Sequence, residues 1–378
     1  MRKIYYLGYY ETAEYRKNIK NISPASANKM DYIISAVERN NVSVEVLSPT
    51  VCNAGKKYRL VSKKSNIKLF WHLPLATNKL VKLLNRYFIL FQLYFYILKN
   101  IGKNDTILVY HGLTYSSFLA FAKKIKKFNL ILEVEEIYSD LSHLDNERKI
   151  EEKIFSIADS YLFSTELLNE KLNKENKPYC VIYGTYQTED DRDCKFNDGK
   201  IHAVYAGTFD SRKGGALAAI SSAEFLSSDY HIHIIGFGTP EDTEKVKKTI
   251  EEVLTKTDCA VTYDGLLSGE DFIRFLQSCH MGLSTQNPDA EYNDTSFPSK
   301  VLTYMANGLQ VVSANVSVVK ASKINDFISY YNSTTGAEIA EAIRNNKDKV
   351  SYDSRKMLTL LDENFVNDIS HLIQGSIL

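Results

Sequence analysis

Two stretches of the sequence set cations at the start of a helix. The first, Tyr205 to Gly215 (YAGTFDSRKGG), reads as a strand ending in a glycine turn at Gly207-Thr208, with Arg212 and Lys213 just before a helix opened by glycine. The free N–H groups of a first helical turn and the positive end of its dipole favour an anion, and a lysine or arginine there adds full charge; phosphate suits both. The plainer reading of this segment alone is a solvated helix start. The second stretch, Asn293 to Gly308 (NDTSFPSKVLTYMANG), repeats the device. Pro298 and Ser299 suit a helix start with Ser299 as cap, Lys300 adds a cation at the same point, and Gly308 closes the helix. Two such starts in one half of the chain fit a single diphosphate ligand.

A third group is acidic. Glu133, Glu135 and Glu136 end a buried-looking strand, Leu130 to Val134, with Glu133 and Glu135 on one face of the extended chain and Glu136 on the other. At the carboxyl end of a strand, such a carboxylate can take a proton from an attacking hydroxyl or bind the hydroxyls of an acceptor. His111, just past the strand ILVY, lies at an equivalent depth. A surface acid or a satisfied loop histidine is the plainer reading of each. His231 and His233 share a face of one strand, but no third ligand is near them in sequence, which argues against a metal site. Asp191 and Asp193 lie in a polar stretch and not behind a buried strand, so they too are discounted as metal ligands. Neither a G-x-x-x-x-G-K-[ST] loop nor a G-x-S-x-G elbow occurs, so ATPase and serine hydrolase readings lack their motifs.

The elements that must position these residues alternate along the whole chain. Strands at Lys3–Tyr6 and Val42–Leu47 flank a helix at Ala27–Arg39, a basic ribbon over 57–73 suits two short strands, and a long helix covers about 78–99. Strand Thr106–Tyr110, helix Tyr115–Lys127 and strand Leu130–Val134 follow, and the alternation runs on to Val181–Tyr183. The acidic, aperiodic stretch Tyr186–Lys200 reads as an interdomain linker. A second series then runs from strand Ile201–Ala206 through Tyr230–Ile235, Ala260–Tyr263 and Met281–Ser284 to Gln310–Ser313, before a last helix over about 351–374. Strands alternating with helices give parallel sheets through right-handed crossovers. The expectation is α/β: two Rossmann-like doubly wound domains facing across a cleft, over 1–188 and 189–350, with a helix in 351–378 crossing back to the first.

Composition narrows the partners. Lys and Arg total 46 against 46 Asp and Glu, yet residues 1–128 carry 22 basic and 6 acidic side chains, leaving the rest of the chain equally acidic. A basic half points to an anionic partner, here a membrane surface; nucleic acid has the charge in its favour but no motif. The 5 cysteines are scattered without C-x-x-C spacing, which fits a reducing, cytoplasmic setting better than disulfides. Glu11 and Glu14 interrupt the N-terminus before any signal-type apolar run. The apolar stretch Tyr87–Leu98 is too short to cross a bilayer that needs about 20 residues. The helix around Leu80–Leu98 is apolar nearly all round, which favours burial, with membrane contact assigned to the basic face.

These residues reach a resemblance. The order YAGTFDSRKGG, IIGFGT, YDGLLSGEDFIRFLQSCHMGLS and SFPSKVLTYMANGLQVVSA is similar to the donor-binding half of GT-B glycosyltransferases of the family-4 type, including bacterial capsule and exopolysaccharide enzymes. SPASANKMDYI and LILEVEEIYSDL agree more loosely in the first half. The resemblance implies a nucleotide-diphosphate sugar co-substrate, with UDP the expected nucleotide, a glycan or lipid-linked glycan acceptor, no metal and no further cofactor. It implies that Gly207, Thr208, Arg212, Lys213, Ser296, Ser299, Lys300 and Thr303 surround the diphosphate and sugar, and that Gly236 and Gly265 border base and ribose. Family-4 chemistry retains the anomeric configuration. Two departures stand out: Thr208 replaces a common arginine, and the family's paired glutamates fall on Thr295 and Thr303. Those departures support two rival readings, a non-catalytic GT-B subunit that stabilises a partner enzyme and a nucleotide-sugar epimerase.

Overall fold

The computed structural model describes residues 2–11, 23–50, 66–72, 78–210, 214–288, 293, 295–347 and 353–375. The chain forms two compact units, Met1–Thr185 with Asn364–Leu378, and Tyr186–Glu363.

The first unit is built on seven parallel strands, β1 (Arg2–Leu7), β2 (Val42–Ser48), β3 (Ile67–Leu69), β4 (Thr106–Tyr110), β5 (Asn129–Val134), β6 (Ser160–Phe163) and β7 (Tyr179–Val181), in the order β3-β2-β1-β4-β5-β6-β7. Its helices are α1 (Pro24–Arg39), α2 (Lys79–Asn100), α3 (Leu113–Lys126), α4 (Tyr138–Ser142), α5 (Asp145–Ile157) and α6 (Glu166–Leu172). Strands β4 to β6 are buried almost throughout, which is why they read as continuous apolar runs. Helix α1 begins where Ser23 accepts the N–H of Ser26 and Pro24 fills the first turn. The basic ribbon contributes β3; residues 51–65 and 73–77 lie outside the described residues.

Helix α2 departs from the expected burial. Ile89, Leu90, Leu93 and Ile97 enter the core beside Phe70 and Leu119, but Leu80, Leu83, Leu84, Tyr87, Phe88, Phe91 and Phe95 are 46–61% exposed. A sheet and one neighbouring helix can cover only one side of a helix that is apolar all round. Phe121 and Ile125 of α3 extend the exposed apolar face.

The second unit has six parallel strands, β8 (Ile201–Phe209), β9 (Tyr230–Gly238), β10 (Ala260–Gly265), β11 (Met281–Ser284), β12 (Gln310–Ala314) and β13 (Ile328–Tyr331), in the order β10-β9-β8-β11-β12-β13. Helices α7 (Gly215–Ser222), α8 (Pro240–Leu254), α9 (Gly269–Ser278), α10 (Ser299–Ala306), α11 (Ser317–Lys320) and α12 (Gly336–Lys347) join them, and α13 (Ser354–Gly375) follows. The doubly wound α/β expectation holds in both units. Two details differ. The sheet continues past Gln310–Ser313 to a sixth strand, β13, and the expected turn at Gly207-Thr208 is paired strand instead. Gly207 and Gly236 are register partners, Gly236 has φ +137°, and a Cβ on it would stand 1.8 Å from the Gly207 carbonyl oxygen. Without that side chain the strands stay paired for two more residues, to Phe209 and Gly238.

The acidic stretch at 186–200 runs along the second unit. Glu189 N–H donates to Ala306 O at 2.9 Å, Arg192 N–H to Gln277 Oε1 at 2.9 Å and Phe196 N–H to Ser278 O at 3.2 Å. Helix α13 is shared: Ser354 Oγ donates to Met305 O (3.0 Å) in the second unit, while Phe365 stacks on Tyr32 and Val366 O accepts from Asn40 in the first.

Glycine 282 is decisive for packing, because a Cβ there would lie 2.1 Å from Cγ of Tyr304. We expect Gly282→Ala to cost about 3 kcal/mol by overpacking. Gly102→Ala, whose nearest neighbour would be 3.7 Å away, should stay within about 0.5 kcal/mol. Denaturant unfolding of both variants measures the difference.

Candidate functional site

In each sheet the strand order reverses direction once, between β1 and β4 and between β8 and β11. Open α/β sheets bind ligands outside the carboxyl ends of the strands at such a switch.

At the β8–β11 switch two helices begin. Helix α7 starts at Gly214 (φ +63°), and α10 starts at Pro298; neither start has a side-chain cap. Gly215 permits close docking, since a Cβ there would stand 2.4 Å from Thr285 O and 3.0 Å from the Tyr205 ring. Thr285 Oγ1 donates to Gly215 O at 2.6 Å, tying the start of α7 to the end of β11. Lys300 reaches the same place. Its Nζ lies 5.0 Å from the Tyr205 ring centroid and 3.0 Å from where a Gly207 Cβ would be. One ammonium and two helix starts therefore meet at one strand edge, an arrangement able to hold a multiply charged anion.

The other predicted residues distribute around this centre. Thr208 is exposed near the end of β8, opposite Phe237 in register, while Gly236 lies two residues before the end of β9 and Gly265 ends β10 on the same sheet edge. Ser296 and Ser299 are exposed at the approach to α10. Ser299 is the first helical residue and not the cap, a position taken by Pro298. Thr303 donates its hydroxyl to Ser299 O at 3.2 Å. Arg212 and Lys213 lie outside the described residues. Sequence reasoning passed over Tyr205, whose ring faces the Lys300 ammonium, Tyr304, whose hydroxyl accepts the Ala206 N–H, and the exposed ring of Phe237 opposite Thr208.

The first unit gathers its acids at the carboxyl ends of β4 and β5. Glu133 is fully buried and accepts the Tyr6 hydroxyl. Lys29, buried on α1, donates to Glu135 Oε1 at 2.5 Å and to Ile182 O at 2.9 Å. Burial and then the neighbouring Glu135 charge push the Glu133 carboxyl up to about 8, against the opposing pull of Lys29. Burial and the same two carboxylates push the Tyr110 hydroxyl up as well. Glu135 is a quarter exposed, so it is the carboxylate of this pair that reaches solvent. Lys29 and Tyr6 had no signal in sequence, being separated from the acids by more than 100 residues.

His111 takes a different position from the acids. Its ring is 2% exposed, between Tyr138 (4.9 Å between centroids) and Phe155 (5.1 Å), with Nε2 3.4 Å from Glu151 Oε1. Burial lowers its pKa to about 4, so the ring is neutral. Glu151 in turn accepts the N–H groups of Tyr138 and Ser139, each at 2.8 Å, at the start of α4. Glu136 is half-buried just before that helix.

No protein-family model and no curated protein matches the chain. Solved structures do. Sucrose-phosphate synthase from Thermosynechococcus elongatus is similar over 99% of both chains with a TM-score of 0.67 and 11% identity. The apo lipopolysaccharide outer core galactosyltransferase WaaB gives 0.66 and 15%, again over 99% of both chains. Anabaena HepE in complex with UDP and glucose gives 0.63 and 11%, over 99% of this chain and 100% of that one. The chain has the GT-B fold. At these identities the fold is what is shared, and the GT-B architecture accounts for both doubly wound sheets and the two switch points.

The Glu133 carboxyl makes a pH prediction. Its folded pKa of about 8 stands above the ordinary value of 4.5, so the folded protein keeps a proton that the unfolded chain releases. Its contribution to stability is therefore complete below about 4.5 and is lost as pH rises through about 8, at a slope of up to about 1.4 kcal/mol per pH unit. Glu133→Gln should remove that component, and urea titrations of both proteins between pH 4 and 9 measure it.

Proposed function

We propose that the protein is a glycosyltransferase that moves a sugar from a nucleotide diphosphate, UDP in the first instance, to a hydroxyl of a glycan or lipid-linked glycan, in surface polysaccharide biosynthesis of the capsule or exopolysaccharide kind. The observation that carries the reading is the Lys300 ammonium against Gly207, beside two helix starts without side-chain caps, at the switch point of a GT-B sheet. HepE structures named as complexes with UDP and with UDP-glucose support the nucleotide, and WaaB, named a galactosyltransferase, supports the reaction class.

In this reading Lys300, the N–H groups that open α7 and α10, and Arg212 and Lys213 from the sequence pattern stabilise the diphosphate as the glycosidic bond to it breaks. That is electrostatic stabilisation of a leaving group, and it needs no metal. Ser296, Ser299 and Thr303 border the sugar and phosphates. Gly207 and Thr208 join them there, and Gly236, Gly265 and the Phe237 ring border the base and ribose. In the first unit Glu135, neutralised by Lys29, or Glu136 takes the acceptor hydroxyl's proton. The neutral His111 holds the loop that carries Glu136. The resemblance assigns retention of configuration.

The non-catalytic subunit is the second reading, favoured by Thr303, whose hydroxyl is engaged by its own helix where the family pattern has a glutamate. Thermal unfolding against UDP-, GDP-, dTDP- and CMP-linked sugars separates the two. A UDP-sugar at 100 times its Kd should stabilise by about 2.7 kcal/mol, with the shift lost in Lys300→Ala and Lys213→Ala. UDP release that depends on an added glycan acceptor supports the enzyme; binding without release supports the subunit.

The exposed face of α2 supports an acceptor presented at an anionic lipid surface. Leu84, Phe88, Phe91 and Phe95 face outward, with Lys79, Lys82, Arg86 and Lys99 on the same helix. Apolar side chains among cations suit the boundary between headgroups and acyl chains. Sedimentation with vesicles containing phosphatidylglycerol should carry the protein down, less so at high salt. The double variant Phe91→Asp/Phe95→Asp should lose at least tenfold in partitioning while retaining nucleotide binding.

A further inference from the structure

The second sheet carries a cluster of histidines that the nucleotide reading does not use. His202 on β8 and His231 on β9 are register partners, and His233 lies two residues further along β9 opposite Thr262 of β10. Adjacent parallel strands in register present their side chains on one face, so the three rings share a surface. One ring nitrogen from each lies within 4.8 Å of the others. His202 is 2% and His233 4% exposed, and Phe196 stacks on both rings. His231 is half-buried and gives access from solvent.

The hydrogen bonds assign the protons. Asp198 Oδ1 lies 2.8 Å from His202 Nε2, and Asp264 Oδ2 lies 3.0 Å from His233 Nδ1. A carboxylate only accepts, so these two nitrogens carry the ring protons. Thr262 Oγ1 takes the proton of His231 Nε2 at 3.0 Å and gives its own to Asp264 at 2.9 Å. Each ring then keeps one nitrogen with an open lone pair. Two of these, His202 Nδ1 and His233 Nε2, face each other at 2.8 Å. Facing lone pairs at that distance repel unless a cation lies between them.

We propose that His202, His231 and His233 bind one divalent transition-metal ion of the zinc class. Three imidazoles from adjacent strands suit that ion, with a fourth position left for water. Tetrahedral coordination at about 2.0–2.1 Å puts ligand nitrogens about 3.3 Å apart, so the His202 and His233 nitrogens, 2.8 Å apart, need to part by roughly half an ångström. The most separated pair, at up to 4.8 Å, needs to close by up to about 1.5 Å through side-chain rotation. Asp198, Asp264 and Thr262 orient the ligands from behind, as carboxylates and hydroxyls do around metal-bound histidines. The bound ion pins Phe196 and Asp198, in the strap at 186–200, to the sheet. It lies five residues along β8 from Gly207, about 16 Å away, so its role is structural and separate from the nucleotide site.

The test uses the full untagged chain after chelator treatment. Zinc titrated by calorimetry should bind once with a Kd of micromolar or tighter and raise the unfolding midpoint. Cobalt(II) should give the intense visible band of a tetrahedral site, displaced by one equivalent of zinc. His231→Gln, at the half-buried ligand and so least disruptive, should weaken zinc at least tenfold, and Asp264→Asn should weaken it with the fold intact by circular dichroism. A natively folded chain that shows no cobalt band and no zinc-dependent stabilisation overturns the proposal and leaves a shared proton between His202 and His233. Zinc binding unchanged in His231→Gln overturns it equally.

Discussion

The phenol of Tyr304 governs the geometry of the second unit. Its oxygen accepts the Ala206 N–H at 2.9 Å and lies 3.3 Å from Leu283 O, so it joins β8 to β11 where the winding of the sheet reverses. Burial pushes its pKa up, which keeps it a neutral donor. It reaches the sheet because Gly282 has no side chain to stand in its way. Residues four apart share a helix face, so a helix anchored by Tyr304 aims Lys300 at the same strand edge, where Gly207 again leaves the space. The cation at the switch point is thus a consequence of packing one turn further along α10.

The first unit solves a different electrostatic problem. Its carboxyl edge crowds Glu133, Glu135, Tyr6 and Tyr110 around the buried ammonium of Lys29. One lysine neutralises one carboxylate, and burial keeps the other protonated. The edge therefore holds a carboxylate open to solvent beside a buried acid. That division of roles comes from depth, since Glu133 and Glu135 are the same residue type two positions apart.

The first unit also leaves apolar surface uncovered. Continuous apolar sequence in α2 predicts burial, but the core has room for one side of the helix only. Apolar periodicity reports which residues avoid water and does not say whether protein or lipid does the covering.

Most strands were legible because parallel strands buried on both faces are unbroken apolar runs: ILVY, LILEV and QVVSA needed no partner to be recognised. The helix start at Pro298-Ser299 was legible from local chemistry, although Pro298 and not Ser299 takes the cap position, whereas α1 begins at Pro24, three residues before the Ala27 that periodicity gives. β13 was missed because ISYY is short and interrupted by Ser329, and it becomes a strand only beside β12. By itself, then, the sequence determined two doubly wound α/β units and the anion-ready helix starts, since periodicity, caps and glycines act within a few residues. Tertiary structure alone decided that Lys29 meets Glu135, that Lys300 meets Gly207, and that His202 joins His231 and His233. Each of those contacts crosses from one element to another, where strand order and register, not local sequence, set the distance.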